Sequence, residues 1–194
     1  DLGSELKNFV DDGKLVGGFC NGFQVLTQLG MLPNLKGNYT PEVALVHNVI
    51  PRYIDRWVDL EFNKENKSPW IADAGIRSMP VAHGEGNFVA EPKVIRILKK
   101  KNLIAAQYVS GEICDYLGLE PNPNGSTENI AGITDETGQV FGMMPHPERA
   151  IDYTHRPDQA MIYEACKRAG IATPEEGPGA IIFRNAVNYA EGRI

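Results

Sequence analysis

The seven residues Gly18-Phe19-Cys20-Asn21-Gly22-Phe23-Gln24 constrain this chain more than any other stretch. They follow an apolar run, Leu15 to Phe19, and open an amphipathic run that ends at Gly30. That order predicts a strand, a sharp turn and a helix. A backbone turning so tightly leaves room only for small residues around the side chain at its apex, which is the form of a nucleophile elbow. A helix starting at Asn21 would aim its free N–H groups and positive dipole end at the Cys20 sulfur, favouring thiolate over thiol. Most cysteines are inert core residues, however, and one flanked by glycines can mark a tight turn and nothing more. The presence of a base decides between the two.

Four histidines are available, His47, His83, His146 and His155. His146 stands out in Met143-Met144-Pro145-His146-Pro147-Glu148-Arg149, directly after the apolar run Val140–Met144 that predicts a buried strand. Pro145 and Pro147 end that strand and stiffen the backbone on both sides of the imidazole. Glu148, two positions on, can reach the ring and set its tautomer. Cysteine at one strand end, with histidine and carboxylate at another, describes a Cys20–His146–Glu148 triad. The plain alternative is a strand-end turn with a satisfied histidine.

Other chemistries lack their partners. His146-Pro147-Glu148 fits the His-x-Glu of zinc deaminases, but no Pro-Cys-x-x-Cys follows. Cys20, Cys114 and Cys166 have no metal-ligand spacing. Gly84-Glu85-Gly86 lacks the strand before it, the third glycine and the helix directly after it that a dinucleotide fingerprint needs, and reads as a glycine-rich loop. No phosphate-binding loop of the Gly-x-x-x-x-Gly-Lys-Ser/Thr kind occurs.

With 194 residues, 42% of them hydrophobic, the chain is expected to form one domain over 1–194, its core at about 14–150 and a helical extension at about 151–194. A formal charge of −6 argues against a nucleic-acid surface. No apolar run is long enough to span a membrane, and no secretory leader opens the sequence. Three cysteines without paired spacing suit a reducing cytoplasm, with Cys114 and Cys166 as structural thiols. Strands are expected at about 43–49, 56–62, 76–81, 103–108, 130–134 and 140–144, the last two joined by the turn Asp135-Glu136-Thr137-Gly138. A helix starts near Glu91-Pro92, and two more run from about 156 to 169 and 179 to 190. The first of that pair is expected to pack on the domain through Met161, Ile162, Ala165, Cys166 and Ala169; the second is open between packing and partner docking. Strands alternating with helices, plus a hairpin, fit an α/β open sheet with an antiparallel addition.

The elbow together with Met144-Pro145-His146-Pro147-Glu148-Arg149 resembles the class I, triad-type glutamine amidotransferases. Further segments are similar to the glutaminase subunits of phosphoribosylformylglycinamidine synthase. These are Phe19 to Leu26 running on to Gly30-Met31-Leu32-Pro33, Arg56-Trp57-Val58, Ala82-His83-Gly84-Glu85-Gly86, and Asn122-Pro123-Asn124-Gly125-Ser126 leading into Ile130-Ala131-Gly132-Ile133. The resemblance implies a mostly parallel, flavodoxin-like sheet flanked by helices. It also implies glutamine as substrate, attacked by Cys20, with His146 as acid and base and Glu148 as its orienting group. Asn21 and Gln24 are then substrate-side residues at the start of the helix, and His83 and Glu85 lie on a substrate-side loop. No cofactor is implied for this chain; ATP and magnesium are expected on a synthetase subunit, the implied partner, with a small accessory subunit as a further candidate. The implied pathway is purine biosynthesis.

In that family several βα units precede the elbow, including a Pro-Gly-Gly type loop that supplies a second oxyanion donor. Here one helix, with Leu2, Leu6, Phe9 and Val10 at helical spacing, comes before it. The expectation is therefore that an N-terminal part is missing. Another Cys-His-Glu hydrolase of the same fold, or an inactive truncated docking subunit, are the alternatives.

Overall fold

A strand that is apolar at every position needs cover on both faces, and Val140–Met143 is such a strand. Its residues alternate between two cores: Val140 joins Phe23, Leu26, Leu32, Phe88, Leu98 and Ile133 on one face, and Phe141 and Met143 join Val58, Leu60, Met79, Tyr108 and Ile182 on the other. The computed structural model describes residues 2–193. In chain order its elements are α1 (Leu2–Asp11), β1 (Val16–Phe19), α2 (Asn21–Gln28), β2 (Val43–His47), β3 (Ile54–Phe62), β4 (Ile76–His83), β5 (Glu85–Ala90), α3 (Pro92–Lys100) and β6 (Ile104–Val109). There follow α4 (Glu112–Leu117), β7 (Ile130–Thr134), β8 (Val140–Met143), α5 (Gln159–Ala169) and α6 (Ala180–Ala190).

The main sheet has six strands in the order β1-β8-β7-β6-β3-β4, and β2 and β5 form a separate antiparallel pair. The α/β sheet flanked by helices is thus as expected, but it is mixed. Among its pairs only β1 and β8 run parallel; β7–β8, β6–β7, β3–β6 and β3–β4 are antiparallel. Short links such as Asp135–Gly138 between β7 and β8 can only reverse the chain, whereas a parallel neighbour needs a long crossover. The sheet also curls. The His146 N–H, just beyond β8, donates to the Pro80 carbonyl of the far edge strand β4 at 2.8 Å.

Two elements depart from the sequence expectation. His83-Gly84-Glu85-Gly86 is not a loop: β4 runs through His83 and β5 begins at Glu85, so Gly84 alone separates them. The short helix α4 went unread because six residues carry too little periodicity. At the C-terminal end the two helices behave differently from each other. In α5 Cys166 is buried and Ile162 half-buried, while Met161, Ala165 and Ala169 are exposed, so the expected packing face is met in part. By contrast α6 docks firmly, with Ile182 and Asn185 buried, Phe183 edge-on to Phe19 at 5.7 Å, and the Asn185 amide donating to the Trp70 and Ala72 carbonyls. In α1, Val10 is buried and Phe9 exposed; the side chain of Leu2 lies outside the described residues.

Candidate active site

Cys20 sits between β1 and α2 with φ 51° and ψ −107°. A non-glycine residue held there is strained, and such strain persists only where its surroundings over-determine it. Here the Cys20 N–H donates to the Met143 carbonyl at 2.9 Å, extending the β1–β8 pairing by one residue. Gly18 makes the sharp return possible, because a Cβ there would lie 2.6 Å from the Gly22 backbone and from Leu26. The helix α2 leads away from the sulfur, so its first-turn N–H groups face the Cys20 end without intrahelical acceptors.

The parallel pairing places Phe19 opposite Met143. Residues 126 positions apart, Cys20 and His146, therefore leave adjacent strands at the same end of the sheet. The His146 side chain is 16% exposed, and its Nδ1 lies 2.5 Å from the Glu148 carboxylate. The pKa of His146 is raised, first by contact with the Cys20 sulfur, then by Glu148, against the opposing effect of burial. Its Nε2 is buried and makes no hydrogen bond among the described residues, so the sulfur acts on the ring by proximity. The thiol itself points at the Ala82 carbonyl, 3.8 Å away on β4. Cys20, His146 and Glu148 are brought together as the sequence suggested.

The other four anticipated residues divide. Asn21 opens α2 beside the sulfur. Gln24 lies one helical turn on, and its amide donates to the Glu85 backbone carbonyl at 2.8 Å, tying the helix to the β4–β5 corner. His83 is 4% exposed, and its ring stands close enough to His146 for the two to repel as cations. The Glu85 side chain, however, turns away to the surface and pairs with His47 at 3.3 Å. Only its carbonyl faces the site, so a side-chain role there is not supported.

Sequence reasoning missed Asn48. Its amide donates to the Arg52 and His83 carbonyls, and its Oδ1 meets both His83 Nδ1 and the Gly86 N–H at 3.1 Å. Nothing local in Val46-His47-Asn48-Val49 signals this. Asn124 had a signal, since it lies in the Asn-Pro-Asn-Gly-Ser segment: its amide donates to the Gly86 carbonyl at 2.7 Å, and Ser126 contacts the same carbonyl. Behind them the buried Tyr108 hydroxyl is within 3.4 Å of Asn124, and burial raises its pKa. These groups hold the His83–Gly86 corner over the sulfur. Among the described residues no group of three His, Cys, Asp or Glu could hold a metal. A cavity of about 600 Å³ lies elsewhere, between Ser78, Glu112, Arg156 and Arg184.

The chain is similar to known proteins over nearly its whole length. The sequence model of the CobB/CobQ-like glutamine amidotransferase domain matches residues 1–190. Two curated relatives, both phosphoribosylformylglycinamidine synthase subunit PurQ from strains of Methanococcus maripaludis, are 40% identical over 97% of this chain and 70% of their own length. Among solved structures, that of PurLQS from Thermotoga maritima superposes with a TM-score of 0.65 at 28% identity, covering 97% of this chain and 68% of that one.

Proposed function

Because the chain belongs to the CobB/CobQ-like glutamine amidotransferase domain family, we propose that it is the glutaminase subunit of a phosphoribosylformylglycinamidine synthase. It hydrolyses glutamine and passes ammonia to a synthetase subunit for purine biosynthesis. The observation that carries this reading is the meeting of Cys20, His146 and Glu148 at one end of the β1–β8 pair.

Each residue then has a chemical task. The Cys20 sulfur, as thiolate, attacks the side-chain carbonyl carbon of glutamine, and the oxyanion that forms is held by backbone N–H groups at the start of α2, that of Asn21 first. His146, charged after taking the thiol proton, gives a proton from Nε2 to the departing nitrogen, and the carbon–nitrogen bond breaks to release ammonia. The same nitrogen then accepts a proton from water as it attacks the thioester, freeing glutamate and the sulfur. Glu148 holds the ring by Nδ1 and stabilises its charged form, which the raised pKa of His146 supports. Gln24 contributes by fixing the β4–β5 corner against α2.

ATP and magnesium belong to the synthetase partner in this reading. Ammonia would be protonated and lost in bulk water, so an enclosed route to that partner is required. No helix among the described residues is long and apolar enough to cross a membrane, and all three cysteines are free, which supports a cytoplasmic setting.

The test uses Cys20→Ser in the complex with the synthetase. Glutamine-dependent synthesis falls by about 10⁴-fold or more, while synthesis from added ammonium continues. Normal glutamine turnover by this variant would remove Cys20 as the nucleophile.

A further inference from the structure

Two buried imidazole nitrogens belong to histidines at the Cys20 end of the sheet, one of them next to Ala82, whose carbonyl the thiol faces. They are Nε2 of His146 and Nε2 of His83, each without a hydrogen bond among the described residues. Buried polar atoms are almost always paired. His146 has the Cys20 sulfur in contact, whereas the nitrogen of His83, a residue only 4% exposed, calls for a ligand. The state of the His83 nitrogen follows from its surroundings. Asn48 donates its amide N–H groups to the Arg52 and His83 carbonyls, at 3.0 and 2.9 Å, which fixes the orientation of the amide. Its Oδ1 is then an acceptor, already receiving the Gly86 N–H at 3.1 Å. The His83 Nδ1, 3.1 Å from the same oxygen, must carry the ring proton. The Nε2 of His83 is consequently a bare lone pair.

The ring is held in that role. A Cβ on Gly86 would fall 2.3 Å from His83 Cε1, so the ring fills the space a side chain would need. Burial and the neighbouring His146 lower the pKa of His83 to about 4, which keeps the lone pair free at neutral pH. His146, held through Nδ1 by Glu148, also presents Nε2 to the site. His146 carries on Nε2 the proton that it delivers, so the His83 lone pair is the acceptor of the two. What fits it is a small group with an N–H to give: a carboxamide nitrogen, or ammonia.

We propose that His83 Nε2 accepts an N–H of the glutamine carboxamide and keeps hold of the nitrogen as it leaves. The inference rests on the glutaminase reading and deepens it. In the tetrahedral intermediate at Cys20, His146 Nε2 delivers one proton to the nitrogen, the carbon–nitrogen bond breaks, and its electron pair stays with ammonia. His83 gives up and gains no proton. An acceptor with no proton to offer on that side retains ammonia as the neutral nucleophile that a synthetase needs.

The test compares leaving groups in the complex with the synthetase. His83→Asn keeps an oxygen or nitrogen at the Nδ1 position, for Asn48, and removes the acceptor at Nε2; His83→Gln places an acceptor near Nε2. Each is assayed with glutamine and with the γ-methyl ester of glutamate, whose leaving group has no N–H when it is attacked. Expected for His83→Asn is a loss of about 10- to 100-fold in kcat/KM for glutamine, a change under about threefold for the ester, and partial recovery of glutamine turnover in His83→Gln. Equal losses on both substrates would make His83 structural and overturn the proposal, as would an unchanged glutamine rate. If the unsubstituted complex turns over neither substrate, the glutaminase reading itself has failed, and that result is separate from any effect of the variants.

Discussion

His146, just beyond β8, and His83, the last residue of β4, belong to strands that sit far apart in the order of the sheet yet are brought close enough to interact. The same ring is tuned in opposite directions at the two corners. At the β8 corner the ring contacts the Cys20 sulfur and its Nδ1 faces the Glu148 carboxylate at 2.5 Å, and the pKa rises. At the β4 corner Nδ1 faces the Asn48 amide oxygen at 3.1 Å, and the pKa falls to about 4. The Cys20 sulfur together with a carboxylate offsets the desolvation of an imidazolium; a neutral amide oxygen beside a second histidine does not. One corner can therefore carry a proton through a reaction cycle, and the other holds a fixed lone pair.

The strongest way to break this contrast is Glu148→Gln, which gives the β8 corner the kind of partner the β4 corner has. Glutamine hydrolysis should fall by about 10²- to 10⁴-fold, and the pH dependence of kcat/KM should show the imidazole titrating at lower pH. A rate within threefold of the parent would mean that the carboxylate does not set the state of His146.

Acid sharpens the contrast next. At pH above the ordinary value of 6.5, His83 is neutral whether the chain is folded or not, and it costs no stability. Between 6.5 and about 4 the unfolded chain binds a proton there that the folded chain refuses, so stability falls with pH across that window. The expected contribution is about 3 kcal/mol. His146 has the opposite sign: its raised pKa contributes stability below the ordinary value, lost as pH rises through the folded one. Urea unfolding at neutral and acid pH, compared between the parent and His83→Asn, isolates the first contribution. Equal acid sensitivity of the two proteins would show that His83 is not held neutral.

The smallest effect is steric. Gly86→Ala puts a methyl group 2.3 Å from the His83 ring, and should cost about 2 kcal/mol in unfolding free energy. It should also lower glutamine turnover by displacing that ring. A loss under about 0.5 kcal/mol would mean that the β4 corner yields easily and that its geometry is not held by packing.

Much of the first corner was legible in the residues. A strand run, glycines around a cysteine and an amphipathic run after it are local signals, and they gave Cys20, its turn and α2. Two prolines bracketing His146, with Glu148 two positions on, gave the second strand end. The β4 corner was harder. His83 was picked out through its resemblance to a substrate-side loop, but the residues around it were misread as a loop because glycines mask the strands on either side. Asn48, which sets the tautomer, has no marker of its own. Glu85 was anticipated as a binding side chain, yet its alternation along β5 turns the carboxylate outward to His47.

What the sequence determined alone was the chemistry available and the local geometry of each piece: turn, helix start, strand end and the carboxylate beside one histidine. All of these depend on neighbours within a few positions. Only the tertiary structure decided that β1 and β8 lie side by side and parallel, that the sheet curls until β4 reaches the same sulfur, and that one histidine is paired with a carboxylate while another is buried against an amide. Those outcomes depend on strand pairing and burial between segments more than a hundred positions apart in the case of β1 and β8. No local pattern carries that information, because the free energy that selects it arises only when the whole sheet is assembled and both its faces are covered.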